Sequence, residues 1–182
     1  DAGIPACGFP PLITATWLPQ SSGASVPLTP CHPSWETVTV HDFHPDLVFW
    51  IVVDAPEPWH YQGRRLKPCE EPYDSLYQQS LRNEIARLGA SGTTVVVTTQ
   101  AYDRFFRDAV PDRTVDCNNR LRREVAAETG ARLVDLFNFV CPKGRCRVKQ
   151  SGATLRPDGL HYEGPGGDIV AKWLIDQARS TN

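Results

Sequence analysis

The sequence predicts an α/β domain, a three-layer sandwich whose mostly parallel sheet is flanked by helices on both faces. Three observations predict it: apolar, β-branched runs at Leu47–Val53, Thr93–Thr98 and Arg132–Leu136, helical apolar spacing between them, and regular alternation of the two patterns. Strands joined by helical crossovers are covered on both sides, so they read as near-continuous apolar runs. The chain of 182 residues fits a single domain, since one core commonly serves ~100–200 residues.

Each element follows from its own residues. Residues 1–45 are rich in Pro, Ser, Thr and Gly and show no sustained period, so they read as an irregular segment tied down by a disulfide, with residues 46–182 as the α/β core. Pro45-Asp46 lead into the Leu47–Val53 run, which has the length and composition of a buried strand and ends at Asp54. A Pro-rich loop covers Ala55 to Pro72. Apolar residues then recur at Tyr73, Leu76, Tyr77, Leu81, Ile85 and Leu88, one face of a helix closed by Gly89. Thr93–Thr98 is the second strand. Asp116–Thr129 is the second helix, with Gly130 as its C-terminal cap. Arg132–Leu136 is the third strand, and Ile169, Val170, Trp173, Leu174 and Ala178 mark a closing amphipathic helix.

Composition narrows the function classes. A net charge of −2, from 19 basic and 21 acidic residues spread without long runs, leaves no electrostatic footprint for nucleic acid or an anionic membrane. No apolar stretch approaches the ~20 residues needed to cross a bilayer. The chain contains no methionine, so residues upstream of Asp1 are expected. Six cysteines, Cys7, Cys31, Cys69, Cys117, Cys141 and Cys146, admit fifteen pairings. Sequence order favours Cys7–Cys31, Cys69–Cys117 and Cys141–Cys146. Cys141 and Cys146 lack the second ligand pair of a zinc site, so disulfides and an oxidising compartment are expected, and no metal or cofactor.

The candidate chemistry lies in Arg156-Pro157-Asp158-Gly159-Leu160-His161, just before the closing helix and beyond the last strand, the end at which open α/β sheets bind ligands. A carboxylate three residues ahead of a His can fix the ring's tautomer and stabilise the imidazolium, leaving the other nitrogen to take a proton. Gly159 lets the backbone bend and Pro157 fixes the approach. The plainer reading of an isolated Asp-x-x-His is a surface turn or a helix cap; its place after three alternating strands raises it above that. His41-Asp42-Phe43-His44 could be a metal site, but reads better as the turn before the first strand. Trp50 belongs to the core, Trp59 is a candidate to stack on a sugar ring, and Arg64, Arg65 and Lys67 solvate a loop. Asn118 and Asn119 read first as helix caps and second as substrate contacts.

The order of strand, helix, strand, a helix carrying Asp116-Cys117-Asn118-Asn119, strand, paired cysteines, Asp158-Gly159-Leu160-His161 and closing helix resembles the SGNH (GDSL-type) hydrolases, whose fold is flavodoxin-like. It is most similar to their extracytoplasmic branch, often fused to membrane-bound acyltransferases. The resemblance spans roughly Pro45 to Ala178. It implies that Asp158 orients His161 and that His161 activates a Ser carrying the acyl group. That nucleophile sits in a Gly-Asp-Ser turn after the first strand of the family, and no such turn precedes Leu47, so the first βα unit and the Ser are expected upstream. Asp54-Ala55-Pro56-Glu57 stands where the family places an oxyanion-binding Asn, and a carboxylate there would repel a developing oxyanion. The resemblance implies an O-acyltransferase, of acetyl groups above all, acting on an extracytoplasmic glycan or glycolipid. The donor would be delivered by a fused membrane domain, which would also tether the chain. The alternatives are an O-acyl esterase of the same kind and a non-catalytic glycan-binding or structural module that lost its Ser.

Overall fold

The computed structural model describes residues 14–17, 26–27, 42–54, 59–104 and 110–180. Its centre is a parallel sheet of β3 (Leu47–Trp50), β6 (Thr94–Thr98) and β7 (Arg132–Val134), with β6 in the middle. Leu47 pairs with Thr94 and Trp50 with Val97, while Val96 pairs with Arg132 and Thr98 with Val134. Side chains alternate across a strand, so β6 serves two cores. Val95 and Val97 pack with Leu81 and Ile85 of α1 (Tyr73–Leu88) and Leu121 and Val125 of α2 (Asp112–Thr129). Val96 packs on the other face with Val170, Leu174 and Ala178 of the closing helix α4 (Gly164–Ser180). The expected three layers are therefore present.

The boundaries depart from the sequence reading where neighbours decide them. β3 stops at Trp50, and Ile51 and Val53 are exposed. Its partner runs out there: Trp50 is opposite Val97, and β6 ends one residue later. Leu136 does not end β7. It opens a short helix, α3 (Leu136–Val140), because the Asp135 carboxylate accepts from Asn138 N–H at 3.2 Å and caps it. α2 begins at Asp112 rather than Asp116, after Pro111, with Asp112 favourably placed in its positive first turn. Gly130 does terminate it, in the left-handed conformation at φ 73°.

The segments read as irregular also hold strands. β4 (Trp59–Tyr61) and β5 (Arg64–Leu66) form a hairpin inside the Pro-rich loop, turning through Gln62-Gly63. β4 pairs with β1 (Thr14–Trp17), which pairs with β2 (Val26–Pro27), giving a second, antiparallel sheet in the order β2-β1-β4-β5. Cys69–Cys117 ties the end of this hairpin to α2, and Cys141–Cys146 closes the loop after α3, both as expected. Cys7 and Cys31 lie outside the described residues. Beyond that loop, β8 (Lys149–Gln150) and β9 (Ala153–Thr154) make a small hairpin against α4. A Cβ on Gly166 would stand 2.1 Å from Thr154 O, so the first turn of α4 lies directly on β9. No described helix is long and apolar enough to cross a membrane.

Candidate active site

The run from Arg156 to His161 forms a closed turn beside the chain that leaves β6. Gly159 N–H donates to Arg156 O at 3.1 Å, and Gly159 O accepts from Arg104 N–H at 3.2 Å. Gly159 adopts φ 86°, and a Cβ added there would lie 2.8 Å from Arg104 Cβ, so both the backbone conformation and the close approach require glycine. Arg156 strengthens the same contact by donating from Nη1 to Tyr102 O at 2.7 Å.

Within this turn the Asp158 carboxylate has two duties. Oδ1 accepts from the backbone N–H groups of Leu160 and His161, each at 2.8 Å, and Oδ2 lies 2.5 Å from His161 Nδ1. An ionised carboxylate has no proton to give, so Nδ1 carries the hydrogen and Nε2 is the free acceptor. Partial desolvation raises the Asp158 pKa, but hydrogen bonds from the His161 ring and the Leu160 and His161 N–H groups outweigh it and lower it to about 2. Asp158 is thus ionised at neutral pH. The plainer reading of this residue, a turn-former, is correct for one oxygen, while the other oxygen orients the ring.

The His161 side chain is 63 % exposed, so the orienting contact leaves the ring open to a ligand. Glu163 completes a group in which ligand atoms of Asp158, His161 and Glu163 lie within 4.8 Å of one another. Among the described residues this is the one such cluster; both Asp158 oxygens already accept hydrogen bonds, which argues for an orienting role rather than a metal ligand. Of the His41–His44 run, His41 lies outside the described residues.

Beneath this edge of the sheet lies a second polar group that sequence reasoning missed. Asp54, just past β3, is buried, and its Oδ1 accepts from Tyr77 O–H at 2.7 Å and from Arg122 Nη2 at 2.8 Å. Arg122 is 0 % exposed and also donates from Nε to Tyr77 Oη at 3.0 Å and from Nη1 to Asn119 Oδ1 at 3.2 Å. Burial pushes the Tyr77 hydroxyl well above its usual pKa, so it remains a donor to the carboxylate. Asp54 is turned toward α1 and α2 and paired with a guanidinium, while Glu57 lies outside the described residues.

Asn119 pairs with the backbone of Gln100 as a strand would, accepting from Gln100 N–H and donating to Gln100 O, both at 2.8 Å. Gln100 Oε1 in turn accepts from Asp54 N–H at 3.0 Å. Asn118 accepts from Tyr73 O–H at 2.9 Å. Neither Asn caps a helix, because α2 starts seven residues before Asn119 and both side chains lie in its interior. The network therefore clamps the ends of β3 and β6, and the second of these leads within six residues to the Arg104 contact with Gly159. Trp59, expected to stack on a sugar, is instead 1 % exposed; Tyr73 stacks on it with ring centroids 5.0 Å apart. Its face is occupied by the core.

Together these features define an α/β protein with a parallel sheet flanked by helices and an exposed carboxylate–imidazole pair beside its C-terminal edge. A solved structure shares that fold. The chain is similar to the crystal structure of a lipase/acylhydrolase from Enterococcus faecalis, with 18 % identity over 80 % of this chain and 68 % of that one, at a TM-score of 0.54. An acetyl xylan esterase, AlAXEase, aligns over 82 % of this chain and 75 % of that one, with 15 % identity and a TM-score of 0.48. No protein-family model and no curated protein matches the sequence.

Proposed function

We propose that the protein handles acyl esters through a Ser-His-Asp arrangement in which Asp158 orients His161 and the Ser is contributed by residues upstream of Asp1. The observation that carries this reading is the 2.5 Å contact between His161 Nδ1 and Asp158 Oδ2, on a His161 side chain that is largely exposed. As the Ser oxygen attacks the ester carbonyl, its proton passes to Nε2 and the imidazolium is stabilised by ionised Asp158. Collapse of the tetrahedral species returns that proton to the departing alkoxide and leaves an acyl-Ser. A second hydroxyl then attacks the acyl-Ser, surrendering its proton to the same nitrogen, and the bond between the acyl group and Ser breaks as that proton returns to the Ser oxygen.

The attacking group decides the activity. In the reading we favour it is a sugar hydroxyl of an extracytoplasmic glycan or glycolipid, which makes the protein an O-acyltransferase, acetyl transfer being the leading case. Two disulfides among the described residues support an oxidising, extracytoplasmic compartment. The likeness to the Enterococcus faecalis lipase/acylhydrolase, a hydrolase by name, favours the second reading, water as the acceptor and an O-acyl esterase. In the transferase reading a membrane-tethered domain supplies the donor.

Expression of the whole gene product tests the proposal. A fluorophosphonate probe should label a Ser upstream of Asp1, and His161→Ala should abolish labelling while the protein stays folded. Labelling that persists in His161→Ala removes His161 from the chemistry. An upstream sequence with no Ser after a strand favours the non-catalytic module instead.

A further inference from the structure

The 22 residues from Leu136 to Pro157 contain five cations, Lys143, Arg145, Arg147, Lys149 and Arg156, and no carboxylate. The remainder of the chain holds fourteen cations against twenty-one carboxylates, so this segment is a positive island on an acidic protein. Lys143, Arg145, Arg147 and Lys149 occupy alternate positions, and all four are exposed. None of them pairs with a carboxylate among the described residues, whereas Arg82, Arg104, Arg120 and Arg123 all do. Among the described residues the Arg147 guanidinium donates to Gln150 Oε1, at 3.0 Å, and to no carboxylate.

The backbone beneath these cations is held in place. Cys141–Cys146 closes the loop, Lys143 and Gly144 turn it through φ 53° and 75°, and Arg147 N–H donates to Val140 O at 2.8 Å. Leu155 N–H then joins the β8–β9 hairpin to Val148 O at 3.0 Å. Val148 lies between two cations and is 71 % exposed, among the most exposed of the large apolar side chains. An apolar side chain flanked by cations that have no carboxylate partner among the described residues suits a lipid surface, where the charges meet anionic headgroups and the side chain enters the acyl boundary. A soluble polyanion would use the cations and leave Val148 without a purpose.

We propose that the Cys141–Cys146 loop and the β8–β9 hairpin form a docking surface for an anionic membrane. The surface adjoins the candidate site. Gly144 packs on the Tyr102 ring, with an added Cβ 3.9 Å from its hydroxyl, and Tyr102 O holds Arg156 two residues before Asp158. Docking would therefore turn the Asp158–His161 pair toward membrane-borne substrates, yet the proposal stands on the surface alone and survives if the acyl chemistry does not.

Co-sedimentation of the 182-residue chain, disulfides intact, tests it. The probes are vesicles of equimolar phosphatidylglycerol and phosphatidylcholine, against vesicles of phosphatidylcholine alone. Binding to the anionic vesicles only is expected, weakening as salt is raised. Arg145→Gln with Arg147→Gln should weaken it roughly thirtyfold, about fivefold for each cation. Arg64→Gln with Arg65→Gln removes as many exposed cations from β5 and should leave binding within about twofold. Val148→Ser should weaken it about fivefold with no change of charge. Equal losses from the two double variants, an unaffected Val148→Ser, or capture by polyphosphate without vesicle binding would each overturn the assignment.

Discussion

Two polar groups at the same end of the sheet are built in opposite ways. The Asp158–His161 pair is exposed and made by residues three apart, so its geometry belongs to one turn. The Asp54–Arg122 pair is fully buried and joins residues 68 apart, so its geometry belongs to the packing of β3 against α1 and α2. The first can change protonation and meet a ligand at little cost to the fold. The second has surrendered hydration and depends on every partner it retains. The difference teaches that charge near a candidate site divides into groups free to react and groups that hold the frame.

Substitutions sharpen that division. The largest effect is expected from Arg122→Met, which leaves the Asp54 carboxylate buried without its guanidinium and should destabilise the fold by about 3–5 kcal/mol. In thermal denaturation that is a fall of roughly 6–20 °C for a domain of this size. A change within about 1 kcal/mol would show that the frame tolerates loss of the pair. Gly159→Ala comes next. It demands a left-handed alanine and a shift of Arg104, and should cost about 1–3 kcal/mol. The His161 ring resonances should shift with it, since Gly159 ties the turn to the β6 loop.

The smallest effect on stability is expected at Asp158 itself. Its pKa is lowered in the folded state, so its hydrogen bonds contribute fully above the ordinary carboxylate range near ~3.9. That contribution is lost as pH falls through about 2. NMR titration of the Asp158 side-chain carboxyl carbon should therefore place the midpoint of its own carboxylate step at about 2, where the Leu160 and His161 amides hold it. A midpoint at the ordinary value would mean that these amides do not hold Asp158 as the structure shows.

Particular residues explain what was legible beforehand. α1 was readable end to end, from Tyr73 to Gly89, because its apolar spacing and terminus are both local signals. The Asp158 turn was readable for the same reason. The β1–β4 pairing was not, since Thr14 and His60 meet only in the folded chain and each strand is too short to show a period. Arg122 carries no local signal that separates it from Arg120 and Arg123 beside it. Only Asp54, Tyr77 and Gln100 arriving from three other elements turn it inward. Asp135 was a missed signal: an Asp three residues before Asn138 is a helix cap visible in the sequence.

The sequence by itself determined the alternation of parallel strands and helices and the carboxylate–imidazole turn. Each rests on contacts within a few residues, and local chain geometry dictates those. Tertiary structure alone decided that Trp59 is core, that Asn118 and Asn119 serve the interior, and that Asp54 is neutralised by Arg122. Those outcomes depend on which distant surfaces meet, because burial makes a polar atom take whatever partner the packing brings to it.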